Sequence, residues 1–159
     1  MNTNTIAQRL KELRIINGET QTDIAKALNV KRSTYSLWEI GKNEIPLDKL
    51  NTISNKYNVS IDYLTGISKN NIDNFVHIAI NIKDIGIRIK IIRKLNNYTL
   101  ANLAKELSVH LSTISNYENG KTVIPISFLI NFAKLTNTSI DYICGKTDTE
   151  DTIIKKTIS

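Results

Sequence analysis

The sequence predicts an all-α fold of two tandem five-helix domains, and three observations carry this. Residues 6–66 align without a gap on residues 85–145, with 25 identities in 61 positions. Within each copy, apolar residues recur at three- and four-residue spacing, the period of a helix that buries one face. The only two prolines of the chain, Pro46 and Pro125, fall on each other in the alignment. Chance similarity of two Ile-rich stretches does not produce an ungapped match with both prolines in register.

Each helix of the first copy has its own signal. Ile6, Leu10, Leu13 and Ile16 give a first helix, which Asn17-Gly18 stops. Thr20 followed by Asp23 forms a capping box and opens a second helix. Ile24, Ala25 and Leu28 make its inward face, and the small Ala25, like Ala104 in the second copy, suits close helix approach. After a short break at Asn29 to Lys31, a third helix runs from about Arg32 to Ile40, with Gly41 as its left-handed exit. Pro46 suits the first turn of a fourth helix, with Leu50, Ile53 and Tyr57 inward. Ser60 caps a short fifth helix that ends at Gly66.

The alignment sets the expected boundaries: domains at 1–66 and 85–145, a connector at 67–84 and a C-terminal tail at 146–159. The connector is ambiguous. Ile72, Phe75, Ala79 and Ile82 have helical spacing, while Val76, Ile78, Ile80 and Ile82 alternate like a strand. A packed helical connector is the favoured expectation, because the segment is too apolar to stay solvated.

Composition narrows the function. The chain has 159 residues and a formal charge of +6, which permits an anionic partner without demanding one. No apolar run reaches the roughly 18 to 20 residues of a membrane span, and the polar start of the chain does not read as a signal peptide. A lone Cys144 and two distant histidines, His77 and His110, argue against a disulfide or a metal cage and fit a reducing, cytoplasmic setting. No nucleophile–base pairing has catalytic spacing, so neither an enzyme nor a cofactor is expected. A count of 27 Ile and 19 Asn, with 16 Lys against 5 Arg, is an AT-rich codon bias typical of low-GC bacteria and their phages.

The second and third helices carry the functional signal. Their separation is helix-turn-helix spacing, in which the second helix of the pair is offered to the DNA major groove. At about 100° per residue, Arg32, Ser33, Ser36, Leu37 and Ile40 fall on one arc of the third helix. Thr34, Tyr35, Trp38 and Glu39 fall on the other, which is the expected core face. In the second copy the outward arc is Leu111, Ser112, Ser115, Asn116 and Asn119, and the inward arc is Thr113, Ile114, Tyr117 and Glu118.

Both copies resemble the lambda-repressor/Cro-like (XRE-type) helix-turn-helix family. The resemblance rests on residues 20–30, 32–39, Gly41-Lys42, Pro46 and 60–66, and on 99–109, 112–118, Gly120-Lys121, Pro125 and 139–145. It implies a pair of five-helix DNA-binding domains. It makes Gln21 a phosphate grip at the start of the second helix. It makes Lys31, Arg32 and Ser33 the base-reading head, with Ser36 and Leu37 one turn on, and Lys42 and Asn43 backbone contacts. In the second copy the corresponding positions are His110, Leu111, Ser112, Ser115, Asn116 and Lys121. It also implies structural pairs between Arg14 and Glu39 and between Arg93 and Glu118.

The departures from the family pattern are informative. Asn29 and Ser108 stand where the family has Gly in the inter-helix turn. Leu100 replaces Gln21, and His110 and Leu111 replace Lys31 and Arg32. A leucine cannot hydrogen-bond a base edge and contacts only a thymine methyl, whereas Asn116 suits adenine. The first copy carries a net +2 and the second +4, yet the second copy's charge is concentrated in its first helix, at Arg88, Lys90, Arg93 and Lys94.

The expected function is a sequence-specific transcriptional regulator, repressor in type, with double-stranded DNA as partner and no membrane. The alternative is a protein-binding antitoxin or phage-type inhibitor. In that reading the second copy has become a module for homodimerisation or for a protein partner.

Overall fold

The computed structural model describes residues 3–148. Among them are ten α-helices and no β-strand, in two compact units that divide between Asp73 and Asn74. The first unit holds α1 (Thr3–Ile16), α2 (Gln21–Ala27), α3 (Arg32–Glu39), α4 (Leu47–Tyr57) and α5 (Ile61–Thr65). The second holds α6 (Ile82–Leu95), α7 (Leu100–Glu106), α8 (Leu111–Glu118), α9 (Ile126–Thr136) and α10 (Ile140–Ile143).

The local signals act as the sequence implies. Thr20 and Asp23 form the reciprocal capping box that starts α2. Ser60 and Ser139 each accept from the backbone N–H three residues on and cap α5 and α10. Pro46 and Pro125 sit just before α4 and α9, in extended backbone rather than inside the first turn. Gly41, Gly66, Gly120 and Gly145 all take positive φ at helix exits.

Each unit closes on its own core. In the first, Leu10, Ile24, Leu28, Tyr35, Leu50, Ile53, Ile61 and Leu64 are buried. In the second, Ile85, Ile89, Leu103, Ile114, Leu129, Phe132, Ile140 and Ile143 play that part. Burying such side chains contributes about 1.5–3 kcal/mol each, which is how units of this size hold together.

The connector departs from expectation. Residues 71–81 are not helical, and the only helix in the segment is the start of α6 at Ile82. Neither reading holds in full: Ile78, Ile80 and Ile82 are half-buried while Ala79 and Asn81 are exposed, but Val76, the first of the alternating set, is 55% exposed and no strand forms over 71–81. Each unit bonds its own end of the segment. The Asn71 side chain accepts from the Ser60 N–H at 2.8 Å and donates to the Asn58 carbonyl at 3.1 Å. The Val76 N–H donates to the Lys146 carbonyl at 2.7 Å. His77 has its ring centroid 5.6 Å from that of Phe75.

The ordered units also run past their expected ends. Ile67 and Ser68 are buried in the first, and Lys146 is fully buried in the second with its ammonium 5.0 Å from the Phe75 ring centroid. The expected tail otherwise lies, from residue 149 on, outside the described residues.

Candidate nucleic-acid interface

The turn between α2 and α3 is a Schellman motif. The Val30 N–H reaches the Ala25 carbonyl at 2.9 Å and the Asn29 N–H reaches the Lys26 carbonyl at 3.0 Å. Such a motif needs a left-handed residue at its bend, and Asn29 supplies it at φ 53°. In the second unit Val109 and Ser108 bond to Ala104 and Lys105 at 3.0 and 3.2 Å, with Ser108 at φ 54°. Asn tolerates this conformation better than Ser because its side chain bonds locally.

The bend presents α3 with its N-terminal end outward. Lys31, Arg32 and Ser33 are exposed, and Ser36 and Leu37 are half-buried one turn on. Tyr35, Trp38 and Glu39 are buried, with the two rings edge-to-face at 6.4 Å. A second Schellman turn ends α3: the Gly41 N–H bonds to the Trp38 carbonyl at 3.0 Å and the Lys42 N–H to the Leu37 carbonyl at 2.9 Å. It leaves Lys42 and Asn43 exposed just beyond the helix.

An ion pair locks this helix to α1. Arg14 donates from Nε and Nη2 to the two Glu39 carboxylate oxygens at 2.9 and 2.6 Å, and from Nη1 to the Glu19 carbonyl at 3.0 Å. Burial alone raises the Glu39 carboxyl. Hydrogen bonds from Arg14 and Tyr35, with the Arg14 charge, outweigh it and hold the group below the usual carboxylate range. Burial, and then the Glu39 charge, push the Tyr35 hydroxyl well above its ordinary value. Gln21 is not simply free for a ligand, since its amide reaches Glu39 at 3.4 Å.

The second unit repeats the lock with different outer chemistry. Arg93 donates to Glu118 at 2.6 and 3.1 Å and to the Tyr98 carbonyl at 2.9 Å. Around it, His110, Leu111, Ser112 and Lys121 are exposed, while Ser115 and Asn116 are half-buried. The Asn119 amide donates to the Ser115 carbonyl at 2.8 Å and lies 3.4 Å from its hydroxyl, so part of that hydroxyl's capacity is already used. Leu111 is 47% exposed and Val123 is 68% exposed. Leu100 makes no counterpart to the Gln21 contact, because its side chain has no donor.

These features match a known pattern in both halves. A family model described as Helix-turn-helix matches residues 10–64 and again residues 89–143. The chain belongs to the lambda-repressor-like helix-turn-helix family. Relatives in the family come from Bacillus subtilis strain 168. The HTH-type transcriptional regulator ImmR is 38% identical over 80 residues, covering 48% of this chain and 63% of its own. The uncharacterized HTH-type transcriptional regulator YobD is 34% identical over 61 residues, 38% of this chain and 54% of its own. The SPbeta prophage-derived uncharacterized HTH-type transcriptional regulator YonR is 40% identical over 57 residues, 36% of this chain and 53% of its own. The chain thus spans between about half and under two-thirds of the length of these relatives. No solved structure matches it. Among the described residues no helix is long and apolar enough to cross a membrane.

Two features of the site are not legible in the sequence. Glu19 pairs with Lys56 at 2.8 Å and accepts from the Tyr57 hydroxyl, which ties the α1–α2 turn to α4. The aligned residues of the second unit are Tyr98, Leu135 and Thr136, which cannot form this ion pair. The other is Gly86, buried in α6. A Cβ there would lie 2.3 Å from the Tyr117 carbonyl oxygen and 2.8 Å from that of Glu118, so the α6 backbone at Gly86 packs directly on the backbone at the end of α8. Its aligned residue, Ala7, is the one signal that a small residue belongs at this position.

Proposed function

We propose that the chain is a sequence-specific DNA-binding transcriptional regulator, repressor in type, that reads the major groove with α3. The observation that carries this is the exposed Lys31-Arg32-Ser33 head on a helix locked from behind by Arg14 and Glu39. Arg32 and Ser33 are the base readers, with Ser36 and Leu37 beside them. Lys31 belongs to the same reading head, and Lys42, Asn43 and Gln21 serve phosphates, Gln21 while its amide stays near Glu39. Bidentate Arg–guanine recognition and Lys–phosphate contact are the chemistries these groups supply.

The second unit engages DNA through the same fold with weaker chemistry. Leu111 offers a thymine-methyl contact, Asn116 an adenine contact, Ser112, Ser115 and His110 polar contacts, and Lys121 a phosphate contact. A chain used this way is a covalent pseudo-dimer whose two half-sites need not match. Selection of binding sites from random double-stranded DNA, followed by footprinting, tests both parts. Two unlike protected half-sites per chain are expected. One protected half-site per chain overturns the pseudo-dimer, and no enrichment above nonspecific affinity overturns the regulator.

The exposed Leu111 and Val123 favour a second reading, in which the α8 face binds protein, as in an antitoxin or phage-type inhibitor. A stoichiometric protein complex that competes with no DNA site is its signature.

A further inference from the structure

The outer face of α6 is unlike its counterpart on α1. Ile87, Ile91 and Leu95 stand one turn apart and are 54%, 49% and 67% exposed. They lie opposite the side of α6 that buries Ile85, Ile89 and Ile92. Residues four apart on a helix share a face, so the three make one continuous apolar spine. At the aligned positions α1 carries Gln8, Glu12 and Ile16, and Gln8 donates to Glu12 at 2.9 Å. Two of the three positions on this face are therefore polar on α1, where only Ile16 is apolar, whereas all three are apolar on α6.

Charge distinguishes the face further. Lys83, Lys90 and Lys94 are exposed and flank the spine on one side, at helical angles within about 60° of Ile87. Only Lys90 has a basic counterpart on α1, at Lys11, because Asn4 and Ile15 align with Lys83 and Lys94. Asp84 is the only acid in α6. An apolar spine edged by a lysine ridge disfavours a second copy of itself. In an antiparallel pairing centred on Ile91, residues on the same flank of the spine meet, so Lys90 and Lys94 of one copy run against Lys94 and Lys90 of the other, and like charges oppose docking.

We propose that this face of α6 docks an acidic amphipathic helix of a partner protein, with apolar anchors at one-turn spacing on the spine and carboxylates on Lys83, Lys90 and Lys94. This is the helix-on-helix form of recognition read by residues spaced four apart. It uses no residue of α3 or α8 and stands independently of the DNA reading.

The test is fluorescence anisotropy of the full chain with a labelled synthetic helix bearing Leu at one-turn spacing flanked by Glu. Saturable binding that weakens with salt is expected. The substitution pair Ile87→Gln and Ile91→Glu, which installs the residues α1 already carries, weakens it by at least about tenfold. A second variant, Lys83→Glu with Lys90→Glu and Lys94→Glu, reverses the preference toward a Lys-flanked peptide. Absence of saturable binding to the wild-type chain overturns the proposal. So does equal binding by wild type and both variants. Self-association in sedimentation that the Ile87→Gln/Ile91→Glu pair abolishes also overturns it, in favour of a second copy.

Discussion

Arg14 and Glu39 are 25 residues apart in the chain and meet through two hydrogen bonds, at 2.6 and 2.9 Å, with the Glu39 side chain 3% exposed. The pair joins the end of α1 to the end of α3, and its third bond, to the Glu19 carbonyl, fixes the turn that leads into α2. Arg93 and Glu118 repeat every part of this, down to a third bond on the Tyr98 carbonyl. The third helix of each unit, α3 or α8, is thus positioned by a charge pair behind it.

Removing one partner leaves a buried charge uncompensated. Glu118→Leu is expected to cost about 3 kcal/mol, read from chemical denaturation. The double variant Arg93→Met with Glu118→Leu is expected to recover much of that loss, since an apolar pair of similar volume removes the stranded charge. Equal loss in single and double variants would contradict the account.

Acid should release the first unit in a way that depends on Glu39. Its carboxyl is lower in the fold than in the unfolded chain. Its contribution is therefore present above the unfolded value, near 4.5, and is lost as pH falls through the folded value. The chain has one tryptophan, Trp38, buried in α3, so its fluorescence reports this unit. Denaturation midpoints by Trp38 emission should fall below about pH 4.5 in the wild type, and with a shallower slope in Glu39→Gln.

Base reading and phosphate contact separate by mutation. Arg32→Ala should relax operator discrimination by about 1–3 kcal/mol at one base position. Lys42→Ala should weaken all sequences alike and lower the magnitude of the salt slope by about one. Competition binding against operator and random duplex at several salt concentrations measures both.

The inter-helix bend of the second unit holds Ser108 at φ 54°. Ser108→Gly should stabilise that unit by about 1 kcal/mol, because only Gly adopts this backbone without strain. Asn29→Gly should give less, since Asn is already tolerant there. Thermal melts of the two variants compare them.

Gly86 reverses an expectation drawn from helix propensity. Gly→Ala inside a helix ordinarily gains about 1 kcal/mol. At Gly86 the new Cβ would sit 2.3 Å from a backbone oxygen that no side-chain rotation moves aside. Gly86→Ala is expected to destabilise the second unit by about 1–3 kcal/mol, whereas a stabilised variant would mean that α6 and α8 shift apart freely.

Much of this protein was determined by the chain read by itself. The ungapped repeat predicts two units of one fold, and the capping residues Thr20 and Ser60, with the exits at Gly41 and Gly66, place helix ends because capping is a local hydrogen-bond requirement. The outward arc Arg32, Ser33, Ser36 and Leu37 follows from helical periodicity alone. The connector was not legible, because Ile72, Phe75, Ala79 and Ile82 fit a helix as well as Val76, Ile78 and Ile80 fit a strand. The bonds it makes, from Val76 to Lys146 and from Ser60 to Asn71, join residues distant in sequence. Tertiary structure alone also decided that Lys146 is buried, that Gly86 has no room for a methyl group and that Ile87, Ile91 and Leu95 face outward together. Each depends on which surface meets which neighbour: period puts Ile87, Ile91 and Leu95 on one face, but only the packing of the unit leaves that face uncovered.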